Sequence, residues 1–264
     1  MAKYRKSFVE RIKPTGFKDL LRRIVLLICV CVFCYSAYNL GSIFLEYKQM
    51  DDSNKKIEET YVTEAAEEEG AYKKIDFDAL LKRNPDVKGW IDIPDTRVSY
   101  PILQGETNDT YIHSDIDKKE FRAGSIFIAS ENENPFVDLN TVIYGHNMKI
   151  GGEMFSQLKE YEEESFYKEH PNFYIYTPDG KTRTYTVFSA AVVKDTADQY
   201  NLTYATDEAF ESYLKMCKED SAYDTGTEVN AQSQIVSLST CTNVKEDERF
   251  LLQGVLTATD GGEN

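Results

Sequence analysis

Two reactive side chains sit where apolar runs of this sequence end. Cys241 closes Ser237-Leu238-Ser239-Thr240-Cys241, and the polar stretch TNVKEDE follows it. A thiol at the end of a strand is partly exposed, which suits a nucleophile better than a core residue. His146 follows the apolar run Thr141-Val142-Ile143-Tyr144, with Gly145 letting the backbone turn just before the ring. The other histidines, His113 in TYIHSDI and His170 in KEHPNF, lie in polar, loop-like text and read as surface residues. Arg249 opens the run RFLLQGVLTAT eight positions after Cys241, so a hairpin between the two runs brings guanidinium and thiol to one end of a sheet. A thiol, an imidazole and a permanent cation are the parts of covalent acyl transfer: nucleophile, proton carrier and oxyanion stabiliser.

Other chemistries have weaker support. No Cys-x-x-Cys or His-x-x-x-His spacing occurs outside the apolar N-terminal segment, which argues against a structural zinc site. Acidic groupings such as Glu131, Glu133 and Asp138 arise by chance at this composition, so neither a metal nor a cofactor is assigned. The Gly151-Gly152 pair matches no phosphate-binding loop.

The chain that must position these groups has 264 residues and a formal net charge of −15. Residues 1–23 hold eight basic side chains against two acidic ones, so the remainder carries about −21. An acidic body excludes nucleic acid as partner, because phosphate binding needs clustered Lys and Arg. Ile24 to Leu45 contains no charged residue and is long enough for a helix to cross a hydrocarbon core of roughly 30 Å. A cleaved signal peptide is the rival reading, but its apolar region is shorter, about 7–15 residues, and no small-x-small cleavage site follows. The expectation is therefore a cytoplasmic basic tail over 1–23, a single-pass membrane anchor over 24–45, and everything after it outside the cell. Residues 46–74 are charged, with few large apolar side chains, and read as a solvated stalk; residues 75–260 form the catalytic domain.

Within that domain Ile75, Phe77, Leu80 and Leu81 recur at helical spacing until Asn84-Pro85 stops the helix, and Trp90-Ile91-Asp92-Ile93-Pro94 begins the first strand. Short apolar or alternating runs dominate the rest: VSYPILQ, GSIFIAS, NTVIYGHN, QIVSLSTC and RFLLQGVLTAT. FYIYT and TRTYTVFSAAVV flank Pro178-Asp179-Gly180 and predict a hairpin. Strands with few helices between them predict an antiparallel barrel or sandwich. The exception is Asp207 to Asp220, where Phe210, Tyr213, Leu214 and Cys217 share one helical face, with Cys217 as a buried small hydrophobe. Cys217 and Cys241 are the only cysteines outside the apolar segment, and the sequence leaves their pairing open.

Taken together, TVIYGHNM, EMFSQLKEY, SLSTC and an arginine opening the last strand, behind an N-terminal anchor, resemble the sortases, the membrane-anchored transpeptidases of Gram-positive bacteria. The helix near Asp76–Arg83, the extended run after His146 and the long helix before the cysteine strand resemble class B in particular. The likeness covers roughly Ile75 to Ala258, and Ser237 stands where the family's T-L-x-T-C motif has its first threonine.

The resemblance implies a mainly β fold: an eight-stranded sortase-like barrel with an N-terminal helix and an extra helix before the cysteine strand. It implies catalysis by Cys241, His146 and Arg249, and contacts to the sorting motif from Asn108, Ile112, Tyr144, Ser239 and Thr240, with Tyr200 and Leu202 as further groove candidates. The implied partners are secreted proteins with a C-terminal Asn-Pro-x-Thr-(Asn/Gly) type signal, and an amine of the peptidoglycan cross-bridge or its lipid-linked precursor. With unshifted values only about 3% of thiols are ionised and about a quarter of imidazoles protonated at pH 7, so on the order of 0.7% of molecules hold both forms. A hydrolytic cysteine peptidase and a non-enzymatic surface module on a stalk are the alternatives.

Overall fold

A computed structural model describes residues 16–64, 73–148 and 151–261. Most of the expected tail (1–15) and the middle of the expected stalk (65–72) lie outside the described residues. The chain divides into two units, Met1–Gln49 and Met50–Asn264. Helix α1 (Phe17–Tyr61) begins in the first and ends in the second. Its first part is long and apolar enough to cross a membrane, and Leu26, Leu27, Phe33 and Leu40 are exposed along it.

The second unit starts earlier than the charged text suggests. Met50 is buried, and Ile57 and Tyr61 pack against a core cluster that includes Leu80 and Trp90. These three recur at helical spacing, but the charges between them dilute the signal. A short ladder of β1 (Val62–Glu64) and β2 (Lys73–Ile75) follows. Lys73 ties it down, its Nζ lying 2.6 Å from Asp92 Oδ1 and 2.9 Å from Glu58 Oε1. So these parts of the expected stalk are built into the domain.

Helix α2 (Phe77–Arg83) starts where Asp76 accepts the Ala79 N–H at 2.9 Å and stops before Asn84-Pro85. The strands β3 (Val87–Asp92), β4 (Ser99–Leu103), β5 (Ile126–Ile128), β6 (Asn140–Tyr144), β7 (Asn172–Tyr176), β8 (Lys181–Lys194), β9 (Ile235–Cys241) and β10 (Glu248–Gly261) close into a barrel. Around it the order is β10-β8-β7-β3-β4-β5-β6-β9. Helix α3 (Asp109–Ile112) lies between β4 and β5, α4 (Glu164–Glu169) precedes β7, and α5 (Asp207–Asp220) precedes β9. Thr206 caps α5, which buries Phe210, Tyr213, Leu214 and Cys217, as their spacing requires. Gly180, at φ +76°, supplies the left-handed residue of the β7–β8 turn.

The barrel is not wholly antiparallel, which corrects the reading from strand-rich text. β4 pairs β5, and β6 pairs β9, in parallel. A parallel pair needs a long crossover, and here the β6–β9 crossover holds β7, β8 and α5. Local sequence carries no sign of the β6–β9 pairing, because its partners, such as Asn140 and Ile235, are 95 residues apart.

A buried polar network pins the register of the strands that matter most. Ser237 of β9 donates to Asn140 Oδ1 of β6 at 2.9 Å, and Gln253 of β10 donates to Ser237 Oγ at 3.0 Å. Tyr213 of α5 accepts from Asn140 at 3.2 Å and from Gln253 at 3.0 Å. Asn140, Ser237 and Gln253 are all at most 1% exposed, so each bond is made where water cannot replace it. The serine in place of the family's threonine therefore keeps the hydroxyl this network uses. Asn140→Leu is expected to cost at least about 2 kcal/mol by stranding buried partners. Urea unfolding of the Met50–Asn264 unit checks it, and an unchanged midpoint would contradict it.

Candidate active site

β9 has two neighbours that run in opposite senses. β6 lies parallel to it, with Tyr144 opposite Ser239, and β10 lies antiparallel, with Arg249 directly opposite Cys241. The end of β6, the end of β9 and the start of β10 therefore meet at one rim. His146 lies just beyond β6, Cys241 ends β9, and Arg249 is the second residue of β10. All three line one cavity of about 250 Å³, together with Asn108, Ile112, Tyr144, Ser239 and Thr240. Every site residue expected from the sequence thus faces the same space, as does Tyr200, whereas Leu202 is not part of its lining.

The turn into His146 depends on a missing side chain. A Cβ at Gly145 would fall 2.5 Å from Ile126 Cδ1 and 2.7 Å from Phe155 Cγ, so only glycine lets those groups close beneath it. Gly145 N donates to Ser239 O at 3.1 Å, and Phe155 N donates to His146 O at 3.0 Å. The ring is fixed as well: His146 Nε2 lies 2.7 Å from the Ile112 carbonyl and so must carry a hydrogen there. Burial holds the His146 imidazole below the usual histidine value; the Ile112 carbonyl opposes this, and His113 adds to it. His113 stacks on His146 with ring centroids 5.6 Å apart. His113 is exposed, as expected, but this contact is not visible in the sequence, where its only sign is adjacency to Ile112.

Arg249 is held from several sides. Its Nη1 donates to the Glu246 carbonyl at 2.7 Å and to the Glu248 carbonyl at 3.0 Å, and Nη2 sits 3.3 Å from Asp195 Oδ2. Asp195 also lines the cavity, and sequence reasoning missed it because β8, which it follows, is joined to β10 only by long-range pairing. On the opposite wall Asn108 donates to both carboxylate oxygens of Glu131, at 3.2 and 3.0 Å, and accepts from Ser130 N at 2.9 Å. The Asn108 bond holds the Glu131 carboxyl below its ordinary range.

Tyr144 and Tyr200 stack at 6.3 Å, and Tyr200 OH lies 2.7 Å from Ser239 Oγ. Burial pushes the Tyr200 hydroxyl up to about 12, so it stays neutral. Thr240 Oγ1 is buried and lacks a hydrogen-bond partner among the described residues. The wall is thus aromatic, with a few neutral hydroxyls and amides, facing a thiol, an imidazole and a fixed guanidinium. Such a site can bind an extended peptide and exchange its acyl group. Among the described residues no group of three His, Cys, Asp or Glu is arranged to hold a metal ion.

Both cysteines of the barrel domain are free thiols in the structure. Cys217 is buried, which pushes its thiol up to about 12, while Cys241 is half-exposed. Brief iodoacetamide treatment at pH 7.5 followed by peptide mapping is therefore expected to label Cys241 and leave Cys217 unmodified. Equal labelling of the two would contradict this arrangement.

Known proteins resemble this chain across the barrel. Residues 91–257 match the family model for the Sortase domain. Sortase B of Listeria monocytogenes is 35% identical over 244 residues, covering 90% of this chain and 98% of that protein. A solved sortase B from B. anthracis, in complex with AAEK1, superposes with a TM-score of 0.70 at 31% identity, over 81% of this chain and 99% of that one. A Staphylococcus aureus sortase B–substrate complex superposes with a TM-score of 0.64 at 30% identity, over 69% of this chain and 84% of that one.

Proposed function

This chain belongs to the sortase family, in its class B, whose members are cysteine transpeptidases, and from that premise we propose that Cys241, His146 and Arg249 carry the reaction. The observation that supports this most is their convergence on one cavity at one rim of the barrel. Cys241 Sγ attacks the carbonyl carbon of the threonine in a sorting signal, and the carbonyl electrons move to oxygen. Arg249, permanently charged and held by Asp195 and two carbonyls, faces that oxyanion without having to reorganise. Collapse of the tetrahedral species breaks the peptide C–N bond, and His146 protonates the departing amine. An acceptor amine then attacks the thioester, gives its proton to His146, and releases Cys241 as thiolate. Because His146 Nε2 is engaged with the Ile112 carbonyl, Nδ1 is the nitrogen that gains and loses this proton.

The substrate is a secreted protein carrying a C-terminal Asn-Pro-x-Thr-(Asn/Gly) type signal, and the acceptor is an amine of the peptidoglycan cross-bridge or its lipid-linked precursor. That S. aureus sortase B has been solved as a complex with substrate supports this reading. The stacked Tyr144 and Tyr200, with Ile112, give the motif an apolar wall, and Thr240, whose side chain is buried, lines the cavity beside Cys241. Asn108 and Ser239 contribute polar contacts once they exchange their present partners, Glu131 and Tyr200. The apolar part of α1 anchors the enzyme in the cell membrane as a single span. The basic residues 1–23 keep the N-terminus cytoplasmic, which leaves the barrel outside.

Intact-mass measurement after incubation with a peptide containing Asn-Pro-Gln-Thr-Asn is expected to reveal a thioacyl adduct that Cys241→Ala cannot form, and that an added amine converts to transfer product. Hydrolysis unaffected by the amine would favour a peptidase instead. Arg249→Lys keeps the charge but loses the planar fork, and is expected to lower turnover about 10²- to 10³-fold with an unchanged melting temperature. Wild-type turnover in that variant would remove Arg249 from the mechanism.

The depressed His146 value also sets the pH dependence. The reactive state holds one proton between thiol and imidazole, so activity rises as pH climbs through the lower of the two values and falls through the upper. With His146 below its ordinary value, the acid limb of kcat/KM is expected below about pH 6.5. An acid limb above that pH would contradict the assignment.

A further inference from the structure

The backbone ladder between β6 and β9 ends at the bond from Gly145 N to Ser239 O, one residue short of His146. Beyond it, two side chains carry the connection on. Asn147 Nδ2 donates to the Cys241 carbonyl at 2.7 Å, and Asn243 Nδ2 donates back to the Asn147 carbonyl at 2.8 Å. Asn243 sits at φ +59°, a left-handed conformation that asparagine tolerates better than most residues, and this turns its amide toward the loop after β6.

His146 is therefore spanned on both sides. Gly145 is tied to Ser239 before it, and Asn147 is tied to Cys241 and Asn243 after it, while Phe155 N holds its own carbonyl. The loop beyond closes on itself through the Asn147–Met154 bridge and the 2.6 Å bond from Met148 N to Ser156 Oγ.

We infer that Asn147 and Asn243 form a reciprocal amide clamp that sets the separation of His146 from Cys241, and that they are positioning residues for acyl transfer. The inference rests on Cys241 and His146 being the reacting pair proposed above. Beyond that point the two strand ends share no further ladder bonds, so among the described residues the clamp is the direct tie between the segment holding His146 and the segment ending in Cys241. Misplacement of a reacting group by about 1 Å can cost on the order of 100-fold in rate. The clamp needs amides specifically. A carboxylate at either position would set an acceptor against a carbonyl and bring negative charge close to Cys241, where a thiolate must form.

The test uses the full chain in detergent micelles and the Asn-Pro-Gln-Thr-Asn peptide, with first-turnover acylation followed by quenched mass spectrometry. Asn147→Ala and Asn243→Gly are each expected to slow acylation about tenfold to 100-fold while KM changes less than about twofold. Asn243→Gly retains the left-handed backbone and removes only the amide, so it separates the hydrogen bond from the loop shape. The double variant is expected to lose less than the product of the two single losses, because either deletion opens the same clamp. Asn147→Asp is expected to slow acylation more than Asn147→Ala and to slow iodoacetamide labelling of Cys241, a shift that a purely structural role would not produce. Melting temperatures of the variants show whether a loss reflects unfolding.

Acylation within about twofold of wild type in Asn147→Ala and Asn243→Gly would overturn the clamp, as would losses that follow melting temperature alone. Acylation retained by Cys241→Ala, or no acylation of the wild-type chain, would instead overturn the reading on which the clamp stands.

Discussion

The parallel pairing of β6 with β9 is the constraint on which the rest of this molecule depends. Strands that run the same way end at the same rim, and an antiparallel neighbour begins there. With β9 between β6 and β10, one sheet segment brings together the second residue past the end of one strand, the last residue of the next and the opening of a third. Had β6 and β9 been antiparallel, His146 and Cys241 would lie at opposite ends of the barrel. The pairing also requires that register be exact, because a slip of one residue turns every side chain to the other face. The buried network of Asn140, Ser237, Gln253 and Tyr213 joins all three strands to α5, and a slip of any strand would break its bonds where water cannot replace them.

Electrostatics at the rim pull in two directions. Arg249 is fixed by carbonyls and Asp195, so its charge is already oriented before any substrate arrives. Burial works against a protonated His146, so the population able to supply a proton is smaller than that of a free imidazole. The compensation lies in geometry: glycine at 145, the Ile112 carbonyl and stacked His113 hold the ring in one place and one tautomer.

Much of this could be read from local pattern. The apolar faces of α2 and α5, the Asn84-Pro85 stop, the Gly180 hairpin and the polar residues ending the apolar runs at 144 and 240 all depend on neighbours within a few positions. The family motif supplied the eight-stranded count and the residues that line the cavity. What stayed hidden depends on distant pairing. The two parallel pairs, the Asp195–Arg249 contact and the bond from Asn147 to the Cys241 carbonyl join segments tens of residues apart. The end of α1 was hidden for a different reason. Met50, Ile57 and Tyr61 are three apolar side chains among many charges, and composition outweighed their spacing.

The most direct test of this convergence is a crystal structure of the domain trapped as a thioester with a peptide that ends in threonine. The expected result is the acyl carbon on Cys241 Sγ, its carbonyl oxygen within hydrogen-bonding distance of the Arg249 guanidinium, and His146 Nδ1 facing the side from which the amine departs. An adduct on Cys241 whose carbonyl points away from Arg249, with His146 out of reach of the scissile position, would contradict it.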